Sequence, residues 1–570
     1  MGRAEKLLVL LADEGVRWKE TVEKMDIEME KLVGNVFISC GCISYYGAFT
    51  GLYREQMVKM WKEECVKRKI PISEDFNIIK VMGNPVVIRD WNQRGLPTDT
   101  TSIENGILST KGSRWPLLID PQQQGNKWIK NLEKQNDLFI MKQSTPNLQR
   151  TLGQATSSGK PVLIEDIEEF LDPGLDPILL KSAYKTEGGI MQIRIGDQVY
   201  DYDGNFRFYI TTKMPNPHYL PEIFIKLTII NFTVTFMGLE DQMLGDVVVQ
   251  EKPEVERKRD EIVVSMDRDK NTLVSIEDSI LKLLAESTEE QILDQDDLII
   301  ILENSKKTSA DITKRLEDAA IVEEQINETR NQYRTVATRG SILYFVIADL
   351  AGIDPMYQYS LVYVKRLFNQ AIAKSPAQPT LEDRLRVLIE RITESLYLDI
   401  SRGLFVAHKV LFSFLICTSI NRNSKAIDEQ LWITLLRGAG IFNKQQQPEN
   451  PSPTVISQNG WDLAYYIEAT FPEKFDKIAT HIIENIAAWE DYSVTNEPQY
   501  EPLPEPWNDT LDRFEKLLIL KIFRPEKLMF AFTEYVKEEL GRMYIENRAV
   551  TMDTIYQDSD KRTPVIFILS

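Results

Sequence analysis

Between residues 36 and 250, short apolar runs alternate with longer stretches that have the spacing of amphipathic helices. This alternation is typical of an α/β domain, in which helices connect the strands of a parallel sheet. We therefore predict a mostly parallel sheet in this part of the chain. The predicted strands are VVIRDW (86–91), WPLLID (115–120), LFIMK (138–142), PVLIED (161–166), FRFYITTK (206–213) and KLTIINFTVT (226–235).

One strand leads into a glycine-containing turn and then a helical pattern, in RWPLLIDPQQQGNKWIKNL (114–132). A working phosphate-binding loop follows G-x-x-x-x-G-K-[ST], in which backbone amides and Lys contact the phosphates and Ser/Thr binds Mg²⁺. On that pattern Asp120 replaces the first Gly, and Gly125 keeps the second. Asn126 replaces the Lys, and Lys127 replaces the Ser/Thr. The segment is therefore predicted to keep the shape of such a loop without its chemistry.

The strand PVLIED ends in an acidic pair, Glu165 and Asp166. In a working site of this kind the Asp would bind Mg²⁺ and the Glu would orient the attacking water, but here the order is inverted. Glu is one bond longer than Asp, which makes the metal geometry unfavourable. An acidic strand end exposed to solvent explains the pair equally well.

A second polar strand end consists of Thr211, Thr212 and Lys213. Its hydroxyls would either orient water beside a γ-phosphate or satisfy backbone groups where the strand ends, and the second role is the commoner one. Lys226 or Arg207 is the candidate for a cation offered to a neighbouring module, although Lys lacks the planar fork of Arg. No residue is predicted to be catalytic, and no metal site is predicted.

Composition excludes several classes of partner. A net charge of -19 and a pI near 4.9 argue against nucleic acid and anionic membrane, because phosphate-rich surfaces attract basic proteins. Four cysteines without framework spacing favour a reducing compartment, and three histidines make a histidine metal site improbable. No apolar run reaches the roughly 20 residues that span a bilayer, so we expect a soluble intracellular protein.

The first segment carries apolar residues at steps of 3, 4 and 7 on a charged helix, which indicates one arm of a coiled coil. An amphipathic helix packed on its own domain has the same spacing. No partner arm precedes this segment, so we expect the chain to belong to a longer polypeptide. The seam consists of Leu8, Leu11, Trp18, Val22, Met25, Met29 and Leu32.

Residues 251–335 are predicted to form an antiparallel helical hairpin with charged outer faces, around a tip at AESTEEQILDQDD. The rest of the chain, to about residue 540, is predicted to be all-helical with proline-rich loops, and TPVIFILS at the end has the pattern of a buried strand. The predicted stripes are Val255, Ile262, Met266, Leu273, Ile276, Ile280 and Leu283 on the outgoing arm, and Ile312, Leu316, Val322, Ile326 and Tyr333 on the return.

Five motifs in order closely resemble the fifth AAA+ module of dynein heavy chains, especially axonemal ones. They are GNPVVIRDWNQRGLPTDTTSIENGI, RWPLLIDPQQQGNKWIKNL, GKPVLIEDIEEFLDPGLDPILLK, NFRFYITTKMPNPHYLPE and NFTVTFMGLEDQMLGDVV. GSILYFVIADLAGIDPMYQYSLVYV and SRGLFVAHKVLFSFLICTSINR extend the resemblance, so that it covers essentially the whole chain.

The resemblance implies a fold class and a domain map. The fold would be an α/β AAA+ module with a parallel, P-loop-NTPase-like sheet, joined to a coiled-coil stalk end, an antiparallel helical hairpin (buttress) and an all-α lid region. The implied domains are 1–35, the end of the returning stalk helix; 36–250, the degenerate large α/β subdomain; 251–335, the buttress; 336–540, the lid region; and 541–570, the start of the sixth module.

The resemblance also implies a function, that of a minus-end-directed, ATP-driven microtubule motor of cilia and flagella. This part would be a ring module that does not hydrolyse ATP and that couples the ATPase ring mechanically to the stalk. The alternative is a regulatory module with residual ATP binding or hydrolysis, in which Lys127 replaces the missing Lys after a one-residue shift and Asp166 binds Mg²⁺.

Cofactors, partners and location follow from the same resemblance. ATP and Mg²⁺ are expected in other modules of the parent motor rather than here. The expected partners are the other AAA+ modules of the heavy chain, the stalk coiled coil, dynein intermediate and light chains, and microtubules, with neither nucleic acid nor membrane. The expected location is the cytoplasm and cytoskeleton, in the axoneme of a cilium or flagellum.

Overall fold

The structure is a computed structural model in which the chain divides into two compact units, residues 1–337 and 338–570. The predicted terminal strand at 563–570 and most of the predicted hairpin tip lie outside the described residues. Described are residues 2–286, 296–442, 444, 447–546 and 552–558.

The first unit contains a five-stranded parallel sheet with the strand order β2-β3-β7-β1-β8, and the predicted parallel α/β domain is confirmed. The inner strands are buried almost completely, because helices cover both faces of a parallel sheet. The strands in the described residues of the unit are β1 (Trp115–Ile119), β2 (Phe139–Lys142), β3 (Val162–Glu165), β4 (Tyr184–Lys185), β5 (Met191–Ile195), β6 (Gln198–Asp201), β7 (Phe208–Thr212) and β8 (Leu227–Asn231).

The helices of this unit surround the sheet or extend away from it. Helix α1 continues past the predicted boundary at residue 35, and a π-helical segment, Cys42–Tyr46, follows it directly. The helices are α1 (Gly2–Gly41), α2 (Gly51–Lys67), α3 (Ile78–Met82), α4 (Pro85–Gln93), α5 (Thr100–Lys111), α6 (Gln124–Leu132), α7 (Leu148–Ser157), α8 (Asp176–Leu179), α9 (Pro221–Lys226), α10 (Phe236–Glu251), α11 (Pro253–Glu286), α12 (Asp296–Asn331) and α13 (Arg334–Asp349), which continues into the second unit.

The strand predicted at 86–91 is wrong, because these residues form helix α4. The Asn84 side chain caps the helix by accepting the N–H groups of Val86 and Val87, and Pro85 occupies the first turn, where its missing N–H costs nothing. The β-branched run favoured a strand, but the Asn-Pro start is the stronger local signal.

A small antiparallel sheet formed by β4, β5 and β6 was not predicted. Strands β5 and β6 are joined by Gly196 and Asp197, and Gly196 has a positive φ of 61°. A two-residue Gly-Asp turn with this backbone is a usual β-hairpin connection. The Gly-Asp dipeptide in the sequence could therefore have predicted this hairpin.

Helices α11 and α12 are long and pack against each other. Asp269 contacts Arg315, and Glu256 contacts Arg330. Residue numbers therefore increase along one arm in the direction in which they decrease along the other. The arms are therefore antiparallel, and we call α11 and α12 together the helical pair. Of the predicted return stripe, Ile312 and Ile326 are buried while Val322 is exposed. The side chains of Ile280 and Leu283 lie outside the described part.

The second unit is helical throughout its described residues. No helix in the described part of either unit has the length and apolar character needed to cross a membrane. After α13 its helices are α14 (Leu361–Lys374), α15 (Leu381–Ser401), α16 (Val406–Asn423), α17 (Glu429–Arg437), α18 (Gln458–Thr470), α19 (Pro472–Phe475), α20 (Ile478–Glu484), α21 (Ile486–Val494), α22 (Trp507–Thr510), α23 (Arg513–Phe523), α24 (Leu528–Glu539) and α25 (Met552–Asp558).

Candidate functional site

The carboxyl ends of β1, β3 and β7 meet at one edge of the sheet, because β7 lies between the other two strands. Parallel α/β sheets bind ligands at this edge. The sheet therefore brings together Asp120, the Glu165–Asp166 pair and the Thr211–Thr212 pair, as their positions after predicted strands implied. The helix that follows β1, α6, adds Asn126 to this group.

The Asp120 carboxylate lies at the N-terminus of α6, where a phosphate-binding loop would present its backbone amides. Its Oδ1 accepts the Gln124 N–H at 2.9 Å, and its Oδ2 accepts the Asn126 N–H at 2.8 Å. The side chain is 1% exposed. Amides that would bind a phosphate are thus already bonded to a carboxylate of the chain itself.

The turn before α6 is short and closed by a hydrogen bond of its own backbone. Strand β1 ends at Ile119 and α6 begins at Gln124, so only four residues, 120–123, connect them. The Gln123 N–H donates to the Asp120 carbonyl at 3.1 Å, and Gln123 takes a left-handed conformation with φ of 61°. This tight turn directs the Asp120 side chain back onto the helix N-terminus.

Gly125, the retained glycine of the pattern, is buried for a packing reason. A Cβ atom at this position would lie 3.0 Å from the Phe232 ring. That ring in turn stacks on Trp128, with ring centroids 6.2 Å apart. The glycine therefore allows α6 to approach the segment after β8, and the described contacts give it no role in approaching a ligand.

Asn126, at the position of the phosphate-binding Lys, bonds to the polar strand ends. Its Nδ2 donates to Glu165 Oε1 at 2.6 Å and to Thr211 Oγ1 at 3.1 Å. Lys130 Nζ contacts the same Glu165 oxygen at 2.6 Å. The carboxylate that would orient an attacking water is therefore bonded to an amide and an ammonium group of α6.

Asp166 lies between two lysines. Lys142 Nζ contacts its Oδ2 and Lys213 Nζ contacts its Oδ1, both at 2.8 Å. Hydrogen bonds from these two ammonium groups lower the pKa of Asp166 below its usual range. A magnesium ion at Asp166 would have to displace both of them.

Three of the remaining candidates, Thr212, Lys226 and Arg207, also have partners within the unit. Thr212 is buried, and its Oγ1 accepts the Met214 N–H at 3.2 Å, a backbone bond at the strand end. Lys226 is paired with Asp176 at 2.7 Å. Arg207 is likewise paired, with the buried Glu133 at 2.8 Å. Lys127 is exposed on the first turn of α6.

Two family models match this chain. The model for the ATP-binding dynein motor region matches residues 89–312, and the model for the microtubule-binding stalk of the dynein motor matches residues 1–64. Dynein axonemal heavy chain 6 of Homo sapiens is 45% identical over the whole chain.

The chain belongs to the dynein heavy chain family. Other similar dyneins are axonemal heavy chain 1 of Homo sapiens, at 40% identity, and the 1-beta heavy chain of the flagellar inner arm I1 complex of Chlamydomonas reinhardtii, at 37%. Each alignment covers the whole chain. This dynein chain spans only 14%, 13% and 12% of the length of these three relatives, respectively.

The residues at this edge of the dynein chain do not fit a triphosphate with Mg²⁺. The helix N-terminus is occupied by Asp120, and residues 121–128 contain no hydroxyl side chain to ligate the metal. Burial raises the pKa of Asp120 to about 6, although hydrogen bonds from the Asn126 and Gln124 amides oppose the rise. The group is therefore an anion at neutral pH and would repel phosphate.

The raised pKa makes the stability of this dynein chain depend on pH in a defined direction. The folded-state pKa of Asp120, about 6, exceeds the ordinary 3.8, so its contribution is fully present below pH 3.8 and is lost as pH rises through 6. Over this window we expect the free energy of unfolding to fall by about 3 kcal/mol relative to Asp120→Asn. Urea unfolding of both proteins at several pH values measures the difference.

Asp197→Asn is the control for this prediction, because Asp197 is an exposed carboxylate in a hairpin turn. Its unfolding free energy is expected to run parallel to that of the unsubstituted chain. A constant difference between the chain and Asp120→Asn from pH 4 to pH 7 would contradict the prediction.

Sequence reasoning did not predict that three lysines neutralise the acidic pair, although it named Lys213 at the end of its strand. Lys130 lies one helical turn after Asn126 and so on the same face of α6. Lys142 ends β2 directly opposite Glu165 in the sheet register, and Lys213 directly follows β7. The contacts of Lys142 and Lys213 follow from the strand order, which the sequence did not specify.

Proposed function

We propose that this chain is part of an axonemal dynein heavy chain, an ATP-driven microtubule motor of cilia and flagella. Its α/β domain acts as a ring module that does not hydrolyse ATP and that transmits force to the stalk. One observation carries this role: the Asp120 carboxylate occupies the helix N-terminus where a nucleotide phosphate would bind. The module is then a rigid part of the ring, driven by ATP bound elsewhere.

The domain map belongs to the same proposal. Residues 1–35 form the end of a stalk helix, 36–250 the large α/β part, 251–335 the buttress, 336–540 the lid region and 541–570 the start of the sixth module. Partners are the neighbouring AAA+ modules, the stalk, microtubules, and dynein intermediate and light chains. The location is the cytoskeleton of the axoneme, which the names of the similar axonemal and flagellar dyneins support.

The seam of α1 supports a stalk role. Val22, Met25, Met29 and Leu32 follow heptad spacing and are each half or more exposed. Such a row of apolar side chains is suited to a second helix of a coiled coil. The proposed occupant is the outgoing stalk helix of the same heavy chain.

Helix α1 is held in place near its C-terminal end, and it also contacts the helical pair. Asn35 exchanges two hydrogen bonds with Ser73, at 2.9 and 3.1 Å, and Gly34 lies against the Pro71 carbonyl. Helix α12 packs against α1. Movement of the helical pair would therefore press on a helix whose root is held, and a coiled coil answers such a push by a discrete change of register.

Lys127 favours a second candidate, a regulatory module that retains nucleotide binding. It is exposed on the first turn of α6, one residue beyond the position that the loop pattern assigns to Lys. In this candidate the loop shifts by one residue, Lys127 contacts the phosphates and Asp166 releases its lysines to bind Mg²⁺.

Binding of labelled ATP and ADP to the purified chain tests the two candidates. For the ring-module role we expect no saturable binding up to about 1 mM, because Asp120 occupies the phosphate position. Micromolar affinity that is lost in Lys127→Ala and kept in Lys134→Ala, an exposed lysine beyond α6, would favour the second candidate and overturn the first.

A further inference from the structure

A twelve-residue loop, residues 495–506, connects α21 to α22 in the second unit. Four of its residues are proline, which lacks the N–H that helices and sheets require, and we call it the proline-rich loop. From residue 496 to residue 505, all of which the structure describes, one side-chain hydrogen bond reaches another element. Tyr500 Oη donates to Glu534 Oε1 on α24 at 2.7 Å. This bond therefore ties the middle of the loop to the helices.

The proline-rich loop does not pack tightly on the helices beside it. A cavity of about 400 Å³ lies between the loop and helices α23 and α24, and Gln499, Tyr500 and Leu503 line it from the loop side. The buried Oε1 atom of Gln499 has no hydrogen-bond partner within the described part of the chain. The loop is therefore held by the Tyr500 bond and by apolar side chains such as Leu503, which is 4% exposed.

Tyr500 is accessible to a modifying enzyme. It is 58% exposed, and the backbone around it is neither helix nor strand. Protein kinases bind their substrate segment as an extended chain, so an irregular surface loop requires little unfolding to bind. Glu497, Glu501 and Glu505 flank Tyr500 in the sequence. Such an acidic segment complements the basic substrate grooves of many protein-tyrosine kinases.

We propose that Tyr500 is a phosphorylation site and that its modification releases the proline-rich loop from α24. In this step Tyr500 Oη forms a bond to the γ-phosphorus of an ATP molecule that a protein-tyrosine kinase holds. The bond between that phosphorus and the β,γ-bridging oxygen breaks, and ADP leaves. The hydroxyl proton passes to the catalytic carboxylate of the kinase.

Phosphorylation removes the donor of the hydrogen bond and adds charge beside its acceptor. The ester oxygen of phosphotyrosine has no proton to donate to Glu534, and the phosphate carries about -1.5 to -2 charges at pH 7. Hydrogen bonds from Lys537 and Tyr500 lower the pKa of Glu534, so this group is a carboxylate at neutral pH. Two anions would then lie where the unmodified chain has a hydrogen bond, which disfavours the docked loop.

The cations near this contact already have partners. Lys537 Nζ lies 2.7 Å from Glu534 Oε2, and Arg513 Nε lies 3.0 Å from Glu538 Oε2. Lys516 Nζ donates to a side chain of α22 at 3.1 Å. A phosphate on the loop would have to break one of these contacts to gain a cation. We therefore expect repulsion from Glu534 to decide the position of the modified loop.

Mass spectrometry of the full chain after incubation with ATP and a kinase that phosphorylates poly(Glu,Tyr) tests the modification. We expect phosphate at Tyr500 and none at this position in Tyr500→Phe. Tyr53 is the matched control, because it is 56% exposed but lies on helix α2. Its phosphorylation should be at least about tenfold slower, since the helix must unfold locally to enter the kinase.

Release of the loop is measured with a thiol introduced by Leu503→Cys, in the chain with the exposed Cys40 replaced by Ser. Complete phosphorylation should raise the rate at which this thiol reacts with N-ethylmaleimide by about tenfold or more, because the docked loop buries it. Leu463→Cys is the control, since Leu463 is 2% exposed on α18, away from the loop. Its reaction rate should not change.

Glu534→Gln separates repulsion from a general loosening of the loop. With a neutral amide in place of the carboxylate, we expect phosphorylation to raise the Leu503→Cys reaction rate by less than about threefold. If Leu503→Cys by itself opens the loop, Pro498→Cys at a second buried loop position replaces it as the reporter. Absence of phosphate at Tyr500, or equal thiol reaction rates before and after complete phosphorylation, would overturn the proposal.

Discussion

Deleting residues 270–276 together with 308–314 in a full-length axonemal dynein is expected to uncouple ATP turnover from microtubule affinity. The two heptads face each other across the helical pair, beyond the Asp269–Arg315 ion pair at 3.0 Å. Their joint removal keeps the register and shortens the pair by about 10 Å. Contact with α1 would be lost or displaced, so ring motion would no longer reach the stalk.

Two measurements check this prediction: stimulation of the ATPase rate by microtubules, and the microtubule affinity in two nucleotide states. We expect stimulation to disappear and the two affinities to become equal, while the basal ATPase rate in other modules persists. Replacing both heptads by different heptads of the same apolar pattern restores the length and should restore coupling. Normal coupling in the shortened motor would refute the mechanical role.

Replacing Arg54 by Met is expected to lower the free energy of unfolding of the first unit by about 3 to 5 kcal/mol. Arg54 is 2% exposed and pairs with Glu104 at 3.2 Å. Its Nη2 donates to the Gly47 carbonyl at 2.9 Å and to Asn105 Oδ1 at 2.8 Å. Met leaves these acceptors unpaired. Burial already raises the pKa of Glu104, and the loss of Arg54 removes the largest effects that oppose this rise.

Urea or thermal unfolding measures the loss. Arg68→Met is the control, because Arg68 forms an exposed ion pair with Glu64 and its removal should cost within about 0.5 kcal/mol. The double variant Arg54→Met/Glu104→Leu should recover much of the stability, since it removes the buried charge as well. A small effect of Arg54→Met alone would show that the ion pair is dispensable.

The strands show how far local sequence predicts the sheet. Five of the six predicted strands occur, at Trp115–Ile119, Phe139–Lys142, Val162–Glu165, Phe208–Thr212 and Leu227–Asn231. Four of them are buried runs, which are the signal for a parallel strand, whereas Phe139–Lys142 lies at the edge of the sheet with Ile140 exposed. The predicted strand at 86–91 is helix α4 instead. Asn84 and Pro85 form an N-terminal cap that favours a helix, and this effect outweighs the strand preference of the β-branched residues.

The candidate site shows which contacts the local sequence pattern does not predict. The loop pattern alone identified Asp120, Asn126 and Lys127 as departures from a working phosphate-binding loop, and Gly125 as its retained glycine. It did not show that the Asp120 carboxylate bonds to the Gln124 and Asn126 amides. That contact depends on a four-residue turn, whose length is a property of the folded backbone.

The sequence by itself determined the class of this protein: a parallel α/β module of a dynein heavy chain, with long charged helices at both ends of its sheet domain. Hydrophobic periodicity and the order of the motifs are properties of the sequence, so they can be recognised without a three-dimensional structure. Only the tertiary structure decided which groups meet: Asp120 on its own helix, Asp166 between Lys142 and Lys213, and Glu256 with Arg330 across the helical pair. The Asp120 contact depends on the conformation of a short turn. The other contacts join residues far apart in the chain, and strand order and helix packing bring them together.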